Sequence, residues 1–237
     1  PTPSPTEDLI AFVSDRDGLG DVYLVNSGRQ RNIRRLTNLE REMYQLEWSP
    51  NGEVLAFIVS LEGGDCDILT IGKEGGNTTS LRDVFNVGSF GCFDYIRWSP
   101  NGTFLLYGSA GDIFRADLEM GEIRNLTNNP QLLEVDPKWS PNGQEIIYAS
   151  TFGDIEFTAF IMDQNGRLLD QPVTHNRGTS TSLPDWLPRG EKISYLLFRR
   201  DAVDLRVALR FEDLDSPRWN LTNNPPFARV EQYTWSP

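Results

Sequence analysis

Trp48-Ser49-Pro50-Asn51-Gly52 comes back as Trp98 to Gly102 and as Trp139 to Gly143, in worn form as Trp186-Leu187-Pro188-Arg189-Gly190, and in part as Trp235-Ser236-Pro237. Subtracting the Trp numbers gives spacings of 50, 41, 47 and 49 residues. Self-similarity at a period of roughly 40 to 50 residues is the mark of a solenoid or a propeller, so the repeat has to be read before any single residue.

Set under one another, the segments make a unit of four short strands, a to d, each bounded by turn residues. Strand a ends in the Trp, as in Tyr44 to Trp48, and the turn follows with Ser first, Pro second and Gly fourth, the chemistry of a type I turn. Strand b is apolar in every copy: Leu9 to Ser14, Val54 to Ser60, Phe104 to Ser109, Glu145 to Ser150 and Lys192 to Phe198. Such runs suit burial on both faces. Strand c runs over Asp21 to Asn26, Asp67 to Ile71, Asp112 to Ala116, Phe157 to Met162 and Asp204 to Leu209. Strand d is expected to close the unit with Leu36-Thr37-Asn38, Leu126-Thr127-Asn128, Val173-Thr174-His175 and Leu221-Thr222-Asn223, the second unit offering Ser80-Leu81-Arg82. No stretch of eleven residues keeps a helical apolar pattern free of Gly and Pro. The expectation is an all-β protein, a β-propeller of four-stranded antiparallel blades; a β-sandwich would not call for the same turn and Trp in each unit.

The Trp-Ser-Pro-Asn-Gly turn, Ser14-Asp15-Arg16-Asp17-Gly18 leading to Asp21-Val22-Tyr23, and Leu-Thr-Asn together resemble the WD40-like repeats of the TolB propeller family. The resemblance covers residues 8–237. It implies an extracytoplasmic binding protein (periplasmic, cell-surface or secreted) or the propeller part of a larger enzyme. The first unit opens at strand b and the last closes with strand a, Glu231 to Trp235, so five blades are expected, the C-terminal strand pairing into the first blade and removing two exposed edges. The alternative is a piece of a larger ring.

The formal net charge of -12 argues against a nucleic-acid backbone or an anionic membrane surface as partner, since both need clustered Lys and Arg. No apolar run approaches the roughly 18 residues of a membrane span, so no direct membrane insertion is expected. Pro1 to Glu7, where Pro alternates with Ser and Thr, reads as a linker from a tether or anchor outside this chain, and residues 8–237 as a single domain.

The alternating strand directions put the uniform a-to-b and c-to-d turns at one end and the irregular b-to-c and d-to-a loops at the other. Binding residues favour irregular loops on a rigid scaffold. The candidates there are Glu40, Arg41, Glu42, Tyr44, Phe90, Phe93, Phe152, Arg199, Arg200, Phe227 and Arg229, because aromatics and Arg dominate interface energetics. Cys66 and Cys92 stand on loops of the same unit, open to a disulfide or to two free thiols. Asp15, Asp17 and Asp21 have the alternation of a calcium loop without its later bidentate Glu. Asp21 has counterparts in Asp67, Asp112 and Asp204, which favours a structural acceptor over a metal ligand.

His175 is the only histidine, so neither clustered-imidazole metal chemistry nor a serine triad has its partners, and it reads as a loop residue. No cofactor is called for. Carboxylates are plentiful and nothing in the sequence picks out a pair. The repeated Trp residues read as packing between blades, whereas Trp219 is off register and reads as an exposed aromatic. Four N-glycosylation sequons begin at Asn77, Asn101, Asn125 and Asn220, three of them by-products of the repeat. The residues point to a binding module for a protein, peptide or glycan; a hydrolase or lyase propeller and the external sensor domain of a receptor are the alternatives.

Overall fold

The structure, a computed structural model, describes residues 1–28, 32–87, 95–152, 156–169, 180–198, 203–209 and 219–222, with the backbone alone at 152, 156, 208, 209, 219 and 220. The chain divides into two compact units, Pro1–Ala110 with Phe114–Arg124, and Gly111–Ile113 with Asn125–Pro237.

Among the described residues, five antiparallel sheets follow one another along the chain. The first is β1 (Thr2–Pro3), β2 (Leu9–Ser14), β3 (Asp21–Asn26) and β4 (Ile33–Arg35). The second is β5 (Met43–Trp48), β6 (Val54–Ser60), β7 (Cys66–Gly72) and β8 (Thr79–Ser80), after which a single helical turn α1 (Leu81–Phe85) is capped by the Ser80 side chain and closed by left-handed Asn86. The third is β9 (Ile96–Trp98), β10 (Phe104–Ser109), β11 (Asp112–Asp117) and β12 (Glu122–Asn125). The fourth has three strands among the described residues, β13 (Glu134–Trp139), β14 (Glu145–Phe152) and β15 (Glu156–Asp163). The fifth is β16 (Ser180–Trp186), β17 (Lys192–Phe198), β18 (Val203–Leu209) and β19 (Trp219–Asn220).

The apolar strand β6 is buried on both sides because it divides its alternate residues between two cores. In β6, Leu55, Phe57 and Val59 join Ala11, Val22, Leu24 and Trp48, whereas Ala56 and Ile58 join Ile68, Ile96, Leu105 and Tyr107. A period of two thus becomes a continuous apolar run.

Two sequence expectations change. The outer strands stop before the Leu-Thr-Asn signature, at Arg35, Asn125 and Asn220, because its Thr is turned inward to bond strand c. The edge of β2, which the closure expectation gave to Glu231 to Trp235, is instead taken by β1, with Thr2 opposite Ala11 and Pro3 opposite Ile10. Pro3-Ser4-Pro5 stands in the register of Trp48-Ser49-Pro50: Pro3 faces Ile10 as Trp48 faces Leu55, and Ser4 N donates to Leu9 O at 2.7 Å as Ser49 N donates to Val54 O at 2.8 Å. The segment read as a linker therefore carries β1 and a hydrogen-bonded turn, while residues 231–235 lie outside the described residues.

The repeated motif joins neighbouring sheets in two ways. The Trp48 indole N-H donates to Thr2 O at 3.2 Å, that of Trp98 to Glu47 O at 3.3 Å, and that of Trp186 to Lys138 O at 3.1 Å. Each acceptor precedes the Trp register position of the preceding sheet. The turn glycines also approach the preceding turn. A Cβ on Gly102 would meet Pro50 at 3.7 Å, one on Gly190 would meet Pro141 at 3.4 Å, and one on Gly52 would meet Thr6 Oγ1 at 2.1 Å. Inside each turn, Ser49 Oγ donates to Asn51 Oδ1 and accepts from Val54 N, and Ser99 and Ser140 repeat this.

Gly52 and Gly121 both have φ +70°, but a Cβ on Gly121 would meet nothing within 4 Å. Gly121→Ala should cost about 1 kcal/mol for the backbone alone. Gly52→Ala should cost measurably more in thermal denaturation, and Thr6→Ala in its background should recover the difference. Equal losses for the two glycines would show that the turn-on-turn approach carries no energy.

Candidate functional site

At the irregular-loop end of the first sheet, Asp21 is 1% exposed at the head of β3. Its Oδ1 accepts from Thr37 Oγ1 at 2.7 Å and Leu39 N at 3.0 Å, and its Oδ2 accepts from Arg35. Thr37 Oγ1 in turn accepts from Val22 N at 2.9 Å. The lock returns in the third sheet with Asp112, Thr127 and Asn129 N. In the second it returns with Asp67, Ser80 and Arg82 N, so Ser80 stands where the other units have Thr. The carboxylate of Asp21 is thus filled by protein donors, Asp17 Oδ2 accepts from Tyr23 OH at 2.5 Å, and Asp15 is exposed. These three acids do not converge, and among the described residues no group of three metal-ligating side chains occurs.

The lock holds down the loop that follows it, and beside that loop are two adjoining cavities of the first unit. One of about 500 Å³ is lined by Asn38, Leu39 and Arg41, by Val59, Leu61, Asp67 and Leu69, and by Thr78, Ser80, Arg82, Asp83 and Val87. The other, about 760 Å³, shares Asn38, Leu39 and Thr78 and continues along Arg35 and Gly76. The smaller has an apolar floor from β6, β7 and Leu39. Its rim carries Arg41 and Asp83, both exposed and with no side-chain ion pair or hydrogen bond to a described residue. That combination suits a ligand with an apolar body and polar ends.

Of the residues singled out in the sequence, Glu40, Arg41 and Glu42 are exposed on the connection that leads into β5, and Tyr44 is exposed near the start of that strand. Glu40 has φ +50°, a left-handed conformation that costs a non-glycine residue on the order of 1 kcal/mol. Glu42 accepts from Tyr44 OH at 2.7 Å, and that bond, together with burial, holds the phenol above its ordinary value. Of the four, Arg41 lines the smaller cavity. Phe90, Phe93, Cys92, His175, Arg199, Arg200, Phe227 and Arg229 lie outside the described residues, as do the side chains of Phe152 and Trp219. Cys66 is fully buried in the core at the start of β7. Sequence reasoning missed Asn38, Leu39, Thr78 and α1, because a helix of five residues has no periodicity and the cavity brings together segments some forty residues apart.

On the strands that lead to the motif, a second feature repeats. Gln45, Asp136 and Leu183, each three residues before a Trp, have φ +41°, +51° and +50° and interrupt the pairing as β-bulges. The residues just before each Trp form ion pairs with the next sheet: Arg97 with Glu47 at 3.5 Å, and Lys138 with Asp185 at 3.2 Å. Burial raises the Glu47 carboxyl above its ordinary value, and Arg97 and the Trp98 N-H oppose that.

The sequence pattern of the TolB beta propeller domain matches residues 1–181. A curated relative, the uncharacterized peptidase YuxL of Bacillus subtilis, is 25% identical over 154 residues, which are 65% of this chain and 22% of that protein. Among solved structures, TolB from Acinetobacter baumannii is similar with a TM-score of 0.61 and 17% identity, over 85% of this chain and 50% of that one. An oligogalacturonate lyase in complex with manganese is similar with a TM-score of 0.70 and 15% identity, over 88% of this chain and 61% of that one. The chain thus spans about a fifth of the curated relative's length, and the structural likenesses are likenesses of fold.

Burial alone would raise the Asp21 carboxyl, but the hydrogen bonds from Thr37, Leu39 N-H and Arg35, with the Arg35 charge, hold it below its ordinary 3.8. An acid held low contributes stability that is present above its unfolded value and lost as pH falls through its folded one. Asp21→Asn should therefore lower the melting temperature at pH 7, by about 1–3 kcal/mol of stability, and less at about pH 3. An unchanged melting temperature at pH 7 would refute the lock.

Proposed function

The chain belongs to the TolB β-propeller family, and on that premise we propose that it is a non-catalytic binding module that holds a protein or peptide segment outside the cytoplasm. The observation that carries the reading is the smaller cavity, where an apolar floor meets the exposed rim charges of Arg41 and Asp83 on loops fixed by the Asp21 and Asp67 locks. An extended segment could lay a hydrophobic side chain on Leu39, Leu61 and Leu69 and meet the two charges with its polar groups. Glu40, Glu42, Tyr44 and the candidates at 90, 93, 152, 199, 200, 227 and 229 extend the same surface in this reading. A glycan is the competing ligand class. The extracytoplasmic location rests on the family resemblance, and a Cys66–Cys92 disulfide would accord with it. A complete ring of five four-stranded blades belongs to the same proposal, with β1 supplying at least part of the inner strand of the first.

A second reading is the propeller part of a peptidase, favoured by the relative YuxL, of which the matched segment is a small share. In that case the cavity would meet a substrate on its way to a catalytic domain elsewhere.

Screening an immobilised library of random peptides and measuring the best binder by calorimetry tests the proposal. Arg41→Ala should weaken that binder about tenfold. Thr78→Trp, which fills the space shared by the two cavities, should abolish binding with the melting temperature unchanged. Undiminished affinity in both variants would remove this cavity as the site. For the disulfide, two titratable thiols in the oxidised, purified protein would refute the pairing.

A further inference from the structure

The Asp112 lock of the third sheet differs from its counterpart in one respect. Asp21 has the Arg35 guanidinium two residues before its Thr, but at the equivalent place Asp112 has a neutral amide, Asn125 Nδ2 at 2.7 Å from Oδ2. A second acid, Glu134 at the head of β13, lies at the same lock. It is 4% exposed, its N-H donates to Gly111 O at 2.8 Å, and its Oε1 accepts from Ser150 Oγ at 3.4 Å. Its Oε2 is buried with no hydrogen-bond partner among the described residues.

The register makes Glu134 an exception. It faces Ser150 on β14, and the equivalent places are held by Met43, facing Val59 on β6, and Thr181, facing Leu197 on β17. Neither carries a charge. An ionised Glu134 would therefore sit buried beside the carboxylate of Asp112 without the cation that the first sheet supplies, an arrangement that two carboxyls resolve by keeping a proton.

We propose that Glu134 and Asp112 hold one proton between them as an acid–carboxylate pair, and that loss of this proton to solvent loosens the 127–134 connection from the head of β11. When protonated, the Glu134 hydroxyl donates to the Asp112 carboxylate, and the connection is clamped at Thr127 Oγ1, Asn129 N and Glu134 N. When ionised, two like charges press on the lock.

Burial pushes the Glu134 carboxyl up to about 7; the nearby Thr127 and Ser150 hydroxyls oppose the rise and the Asp112 charge adds to it. From β14, Tyr148 faces it, with a hydroxyl held above its ordinary value by burial and then by the Glu134 charge. On its own strand, Lys138 is engaged by Asp185 and Asp136. No cation among these faces Glu134.

The sign follows from linkage. Opening exposes Glu134, whose carboxyl then returns to about 4.5, so opening releases a proton between that value and about 7. In the full chain, the opening constant of the Asn129 and Glu134 amides, from hydrogen exchange corrected for intrinsic rate, should rise about tenfold per pH unit between about pH 5 and about 7 and then level. Glu134→Gln, which keeps a donor and cannot ionise, should flatten that rise. If it does not fold, Glu134→Thr, the residue type at the equivalent place in the fifth sheet, serves the same purpose. Carbon-13 detection of the wild-type Glu134 carboxyl gives an answer that needs no variant, with titration near 7 expected. Titration near 4.5, or the same pH dependence in wild type and variant, would overturn the proposal.

Discussion

The indole N-H of one sheet bonded to a main-chain carbonyl of the sheet before it is the contact on which the arrangement depends. A four-stranded sheet with both faces apolar cannot stand alone in water, and stacking it against a neighbour leaves the register between the two undetermined, because burial is non-directional. The bonds from Trp48 to Thr2, Trp98 to Glu47 and Trp186 to Lys138 supply that register. The turn glycines set how closely successive turns approach, which is why Gly190 persists in a copy that has lost its Ser and Asn.

With the strands so fixed, variation is tolerated at their other ends, and the Asp locks govern what it can do. Each lock ties the start of strand c to the loop after strand d by a carboxylate, a hydroxyl and a backbone N-H. Where the acid has Arg35, the site is charge-balanced; where it has Asn125 and a buried Glu134 nearby, the same geometry becomes sensitive to protons. Where Thr is replaced by Ser80 and the next residues coil into α1, the loop helps frame a cavity. One device thus serves as scaffold, pH-dependent clasp and cavity wall, according to the residues around it.

The b strands were legible in the sequence almost to the residue, because continuous apolar runs between turn signals admit few other readings. The Trp residues were legible as packing elements but not as hydrogen-bond donors, since the acceptor is a carbonyl of the preceding repeat and main-chain atoms leave no mark in the sequence. Pro1 to Glu7 reads as a spacer by composition, yet Pro3-Ser4-Pro5 is a worn copy of the motif; without its Trp only the pairing with Ile10 and Ala11 betrays it. Glu134 was hidden for a related reason. Its place five residues before a Trp means something only once the register of β13 on β14 shows that Met43 and Thr181 hold the same position.

By itself the sequence determined that this is an all-β repeat protein of the TolB β-propeller type, where each turn lies and which end of the strands varies, because these follow from periodicity and local turn chemistry. The tertiary structure alone decided which side chains share a surface. The cavity of Leu39, Leu61, Leu69 and Arg41 and the pairing of Asp112 with Glu134 join residues from separate strands and connections, and that proximity arises from packing and pairing, which no local pattern encodes.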